Sequence, residues 1–76
     1  MKVEVMYQTT EVIEIENTEK YKPLLKEDDY KLRTDLYKAL SNLLGIQSDS
    51  VENIVIQSCY AIEVDGTDCY ELLFEY

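Results

Sequence analysis

A chain of 76 residues with 46% hydrophobic side chains has room for one folded domain, residues 1–76, and is too apolar for a disordered acidic tail. Sixteen acidic residues against seven basic ones leave a net charge of −9, which opposes direct binding to nucleic acid or anionic membranes and steers the protein toward basic partners. With no histidine there is no imidazole base or Cys–His pair, and two cysteines without histidine disfavour a zinc site.

Residues 2–7 (KVEVMY) alternate, with Val3, Val5 and Tyr7 on one side. Residues 11–16 (EVIEIE) alternate again, with Ile13 and Ile15 together. Gln8-Thr9-Thr10 between them has none of the usual turn residues, so the segment reads as two strands or as one long strand bent near residue 10; two strands are favoured. Asn17 to Pro23 is a connection. A helix is expected to begin at Pro23 or after Asp28 as N-cap. Leu32, Leu36, Leu40, Leu43 and Leu44 recur at helical spacing, Leu25 and Ala39 extend the stripe, and Gly45 reads as the residue that ends it. Glu27 with Lys31, Asp29 with Arg33 and Asp35 with Lys38 stand at ion-pair spacings on the solvated side. Residues 46–53 form a polar link, with room for one helical turn after Ser48 or Asp49.

Residues 53–76 organise the rest. Two strand-like runs flank Asp65-Gly66-Thr67-Asp68. Ile54, Ile56, Tyr60, Ile62 and Val64 share one parity, as do Tyr70, Leu72, Phe74 and Tyr76, and these large side chains are expected to face the helix. Leu36, Leu40, Ile56, Ile62 and Phe74 are the expected core, joined by Tyr60, Tyr70 and Tyr76. Tyr21, Tyr30 and Tyr37 lie off the leucine stripe and are expected to be partly exposed. Asp65-Gly66 suggests a two-residue turn, but that register would put the large residues of the last run on the wrong face. A three-residue loop or a bulge is expected instead, setting Ile62 opposite Tyr70 and Tyr60 opposite Leu72. Cys59 and Cys69 then stand ~13 Å apart along the strands, too far for a disulfide, and are expected as free thiols.

The expected architecture is α+β: an antiparallel sheet, ββαββ or βαββ, with one amphipathic helix packed on one face. The other face stays open. Charge is partitioned along the chain: residues 20–44 hold six cations against four acids, whereas residues 45–76 hold seven acids and no cation. On the expected parity Glu4, Glu14, Glu16, Glu63, Glu71 and Glu75 line the open face, with Asp65 and Asp68 at the hairpin tip. These eight are the candidate partner-binding residues, with Val55, Cys59, Ala61, Leu73 and Met6 between them. Strand alternation by itself puts polar residues outward, so a merely solvated acidic face is one reading; Glu is depleted in strands and like charges stacked on one face cost stability, which favours the other, a binding face. The Asp65–Asp68 turn lacks the ligand pattern of a calcium loop, and no phosphate-binding glycine motif is present. No catalytic residue, metal or cofactor is expected. No apolar run approaches the ~20 residues of a membrane span, and no charged segment leads into an apolar one at the start, so a cytoplasmic protein is expected.

In length, acidity, tyrosine content and one-domain α+β layout the chain resembles the small acidic inhibitor proteins of bacteriophages and mobile elements, of which the anti-CRISPR proteins are the best known. The resemblance carries no sequence motif, so no functional residue is transferred. It implies a protein-binding inhibitor that occupies a basic surface of a larger, nucleic-acid-binding protein, in the manner of a DNA mimic. The alternative is a small homodimerising or adaptor subunit that pairs through the open sheet face or an edge strand.

Overall fold

The computed structural model describes residues 1–47 and 55–76. Four strands, β1 (Lys2–Met6), β2 (Thr10–Glu14), β3 (Ser58–Val64) and β4 (Thr67–Glu75), form one antiparallel sheet in the order β2-β1-β3-β4. Between β2 and β3 run a short helix α1 (Thr18–Tyr21), a 3₁₀ turn (Lys22–Leu25) and the long helix α2 (Tyr30–Gln47). The fold is α+β with α2 packed on one face of the sheet, as expected, and residues 2–14 form two strands. The expected helical turn after Ser48 and the placement of Ile54 lie outside the described residues.

The β1–β2 connection closes without a conventional turn residue. The Tyr7 N–H donates to Thr9 O at 2.8 Å, and the Tyr7 hydroxyl donates to Glu11 Oε1 at 2.8 Å, which ties the two strand ends together. Pro23 opens the 3₁₀ turn rather than α2. The Asp29 carboxylate accepts the Leu32 N–H at 3.1 Å and so caps α2, one residue later than the Asp28 start. This use of Asp29 leaves Arg33 to reach Asp28 instead, Nε to Oδ1 2.8 Å, a close ion pair rather than an aligned hydrogen bond. Gly45 does not end the helix: it lies inside α2, on an exposed turn with open space around it.

Leu36, Leu40 and Leu44 bury one stripe of α2 against Val3, Val5, Ile13, Ile56, Cys59, Ala61, Leu73 and Phe74. Four of the five expected core residues, Leu36, Leu40, Ile56 and Phe74, are buried; Ile62 is only half-buried. The parity of β3 is opposite to expectation. Cys59 and Ala61 are fully buried under the helix, and Tyr60 faces the other way. The reason is volume. The helix brings three leucines to the sheet, and the two central strands answer with Val3, Val5, Cys59 and Ala61, small enough for close approach. A row of tyrosine and isoleucine there would hold the helix off. Leu73 is also buried rather than open. Tyr21 is buried, whereas Tyr70 and Tyr76 are exposed, reversing three of the tyrosine assignments; Tyr37 is half-buried, its hydroxyl accepting the Ile56 N–H at 3.2 Å.

The β3–β4 hairpin turns on two residues, not three. Val64 pairs with Thr67, and Asp65 and Gly66 have φ of 52° and 80°, the two positive values of a type I′ turn. The expected bulge is present and resolves the conflict over faces. Ala61 pairs with Glu71 while Glu63 pairs with Asp68, so Ile62 stands against both Cys69 and Tyr70. A second bulge at Leu73 brings Phe74 opposite Cys59, onto the core side, and Tyr60 stands opposite Leu72 as expected. Gly66→Ala is expected to lower stability by about 1 kcal/mol, because a Cβ is disfavoured at this left-handed backbone, with Gly66→Asn less costly. Chemical denaturation of the two variants checks this.

Candidate protein-binding face

Directly paired residues of antiparallel strands share a face, so the register defines the open side of the sheet row by row. One outer row is Thr10, Met6, Ser58, Glu75. The middle row is Val12, Glu4, Tyr60, Leu72. The other outer row is Glu14, Lys2, Glu63, Asp68. The bulge residue Tyr70 lies over the middle of this face, its ring stacked on Tyr60 with centroids 4.6 Å apart and planes 11° from parallel. Its hydroxyl donates to Glu4 Oε1 at 3.4 Å. Burial, and then the Glu4 carboxylate, raise the Tyr70 phenol above its ordinary pKa. Met6, Val12, Tyr70 and Leu72 are 42, 58, 62 and 46% exposed, which makes this a solvent-facing apolar centre rather than a purely acidic sheet.

The eight candidate carboxylates divide. Glu4, Glu14, Glu63, Asp68 and Glu75 lie in the three open rows. Glu63 is 3.6 Å from Lys2, the cation of that face, and Glu14 is 3.7 Å from the Met1 amino group. Glu71 does not join them. Its partner is Ala61, so it stands at the sheet edge on the helix side, beside Leu25 and Lys26. Glu16 lies beyond the end of β2 near Asn17, Tyr21 and Leu43, also on the helix side. Asp65 is held by Lys22 at 2.6 Å, and the same ammonium meets Glu19 at 2.7 Å. Asp65 first and Glu19 second push the Lys22 pKa up to about 12. The hairpin tip is therefore tied to the start of the 3₁₀ turn, and Asp65 is not a free anion.

Sequence reasoning missed Tyr60, Tyr70 and Leu72 as surface residues, because the large apolar side chains of the last two strands were assigned inward, and it gave Val12 no face. The signal that finds them is the size of their neighbours: a strand offering Cys59 and Ala61 suits a leucine-rich helix better than one offering Tyr60 and Ile62. Val55, expected on this face, precedes β3 and is exposed; Cys59, Ala61 and Leu73 belong to the core.

Neither thiol is poised for chemistry. Burial pushes Cys59 up to about 12. Cys69 is raised by burial first and then by Glu71, Asp68 and Glu63, and its Sγ donates to Ala61 O at 3.4 Å. Both cysteines are free. A thiol neutral in the fold to about 12 but ionising near 9 when unfolded stabilises fully below about pH 9, and that contribution is lost as pH rises toward 12. Alkylation near pH 8 is expected to label Cys69 slowly and Cys59 only on unfolding, as read by intact mass; rapid native labelling of Cys59 would contradict its burial. Among the described residues no cluster of three or more His, Cys, Asp or Glu is arranged to hold a metal ion, and no helix is long and apolar enough to cross a membrane. No protein-family model, curated protein or solved structure matches this chain significantly.

Proposed function

We propose that this protein is a small acidic binding module that inhibits a larger protein by covering a basic, nucleic-acid-binding surface with the open face of its sheet. The observation that carries this reading is the centre of the open face: Val12, Tyr60 and Leu72 of the middle row with Tyr70 beside them, flanked by outer rows that hold Glu14, Glu63, Asp68 and Glu75. An apolar, tyrosine-containing centre within a charged rim is the anatomy of a protein interface. The rim sets the sign of the partner. Glu14, Glu63, Asp68 and Glu75 surround the centre, Lys2 is engaged by Glu63, and the whole chain carries −9. Complementary charge across an interface accelerates encounter and selects partners. A nucleic-acid-binding surface is the common basic counterpart, and carboxylates placed over it compete with phosphates.

The same apolar centre could serve self-association, but charge opposes it. A two-fold contact through this face would bring the acidic rims of two copies together.

The test is to capture partners from host lysate, purify the one retained, and measure its binding and its nucleic-acid affinity with and without this protein. Tyr70→Ala with Leu72→Ala is expected to weaken binding more than about tenfold, since truncating central aromatic contacts typically costs 2 kcal/mol or more. Glu63→Lys with Asp68→Lys is expected to slow association and flatten its salt dependence. Glu71→Lys and Asp28→Lys, away from this face, are expected to change little. Unchanged binding by both open-face pairs, or simultaneous binding of the partner to nucleic acid and this protein, overturns the proposal. A dimer in light scattering that Tyr70→Ala dissociates would favour self-association instead.

A further inference from the structure

Glu4 is the one carboxylate of the middle row, and among the described residues no Lys or Arg pairs with it. Lys2, on the same strand and face, is taken by Glu63 at 3.6 Å. The remaining Lys and Arg residues fall between Lys20 and Lys38, in the helical segments and the turn that leads into α2. The chain thus has no cation of its own to give Glu4, and its side-chain partner is the long 3.4 Å contact from the Tyr70 hydroxyl.

Tyr70 reaches that carboxylate from β4 by lying across Tyr60 on β3 toward β1. One ring face rests on Tyr60, at 4.6 Å between centroids, and at 62% exposure the other is presented to solvent. A flat aromatic face with a carboxylate at its hydroxyl end fits a planar cation. A guanidinium stacks on the ring while its N–H groups reach the carboxylate, whereas an ammonium is a point charge that uses one or the other well. The protein builds a similar pairing internally: the Arg33 guanidinium lies over the Tyr30 ring, 5.6 Å from its centroid, and meets the Asp28 carboxylate at 2.8 Å.

We infer that Tyr70, supported by Tyr60 and flanked by Glu4, is a receptor for an arginine side chain of the partner protein. This rests on reading the open sheet face as the binding surface, and it deepens that reading from a charge preference to recognition of one residue type. Arginine is a frequent residue on nucleic-acid-binding surfaces, where it contacts phosphates and bases. Its capture here would take a specific contact away from the nucleic acid.

The site is testable without the partner. N-acetyl-arginine N-methylamide, and its lysine and citrulline counterparts, are titrated into the intact protein while the ring signals of Tyr60 and Tyr70 are followed by NMR. The arginine compound is expected to shift both rings, the lysine compound to bind about fivefold more weakly, and the uncharged citrulline compound to leave them unmoved. Glu4→Gln and Tyr70→Leu should each weaken the arginine response about fivefold or more, with Glu71→Gln, on the helix side, equal to wild type and circular dichroism unchanged throughout. Arginine shifts that persist undiminished in Glu4→Gln, or that appear at other acidic residues and not at Tyr60 and Tyr70, overturn the inference. A negative titration with partner binding still dependent on Tyr70 and Leu72 removes the arginine site alone. A positive titration with partner binding indifferent to that face removes the wider reading, and with it the assignment of the arginine to the partner, and leaves only a site for a free guanidinium.

Discussion

Ala61→Asp is expected to leave the protein unfolded at 37 °C, while Leu72→Asp on the neighbouring strand leaves it folded. Ala61 is fully buried in the row Ile13, Val3, Ala61, with α2 over it. An aspartate there is a carboxylate taken out of water beside aliphatic side chains, with no cation in the core to meet it. The penalty for such a charge is several kcal/mol even after relaxation. A domain of 76 residues has about 4–11 kcal/mol of stability in all, so the substitution consumes most or all of it. Leu72 lies on the opposite face at 46% exposure, and an aspartate there stays in water. Its expected effect on Tm is a few degrees. Thermal melts followed by circular dichroism separate the two, and the reverse outcome would turn the sheet over.

Leu40→Ala is expected to lower the unfolding free energy by about 2–5 kcal/mol, the range for removing a buried leucine and leaving a cavity. Leu40 is fully buried at the middle of the α2 stripe, between Leu36 and Leu44, so neighbours on both sides are held in place and the site has little room to collapse. Leu43, three residues along and 38% exposed, supplies the control: Leu43→Ala should cost under about 1 kcal/mol. Urea titrations give both values. Equal costs for the two variants would mean that the helix is rotated about its axis from the orientation described.

The helix, both hairpins and the α+β layout were legible because each has a short-range cause. Leucines at helical spacing set the buried stripe of α2, alternation marked the strands of residues 2–14, and Asp65-Gly66 marked the turn. Which side of the sheet meets the helix was not legible, because it is decided by fit between two elements. Hydrophobicity alone favours burying Tyr60, Ile62 and Tyr70, and close packing favours Cys59 and Ala61. The bulges of β4 hid the rest, since each shifts the alternation by one residue and lets Leu73 and Phe74, adjacent in sequence, both be buried. Gly45 misled for a related reason. Its helix cost, about 1 kcal/mol, is smaller than the gain from burying Leu44 beside it. Of the eight candidate carboxylates, Glu4, Glu14, Glu63 and Glu75 were placed on the open face, where the register also puts Asp68, expected at the hairpin tip. For Glu63 and Glu75 that agreement came through irregular register rather than through the alternation assumed.

Those same two bulges have a consequence for solution behaviour. β4 is a long outer strand, and a straight one would offer a continuous ladder of unpaired amides to any extended chain it met. Each bulge breaks the even spacing of that ladder and adds local twist, so a second strand can follow it for only a few residues before losing register. A protein that exposes tyrosine, valine and leucine on a strand face is otherwise a candidate for fibril growth, in which sheets lengthen sideways and then stack by such faces. The irregular edge obstructs the lengthening step, so the exposed apolar face is kept without the sheet becoming a template for its own copies.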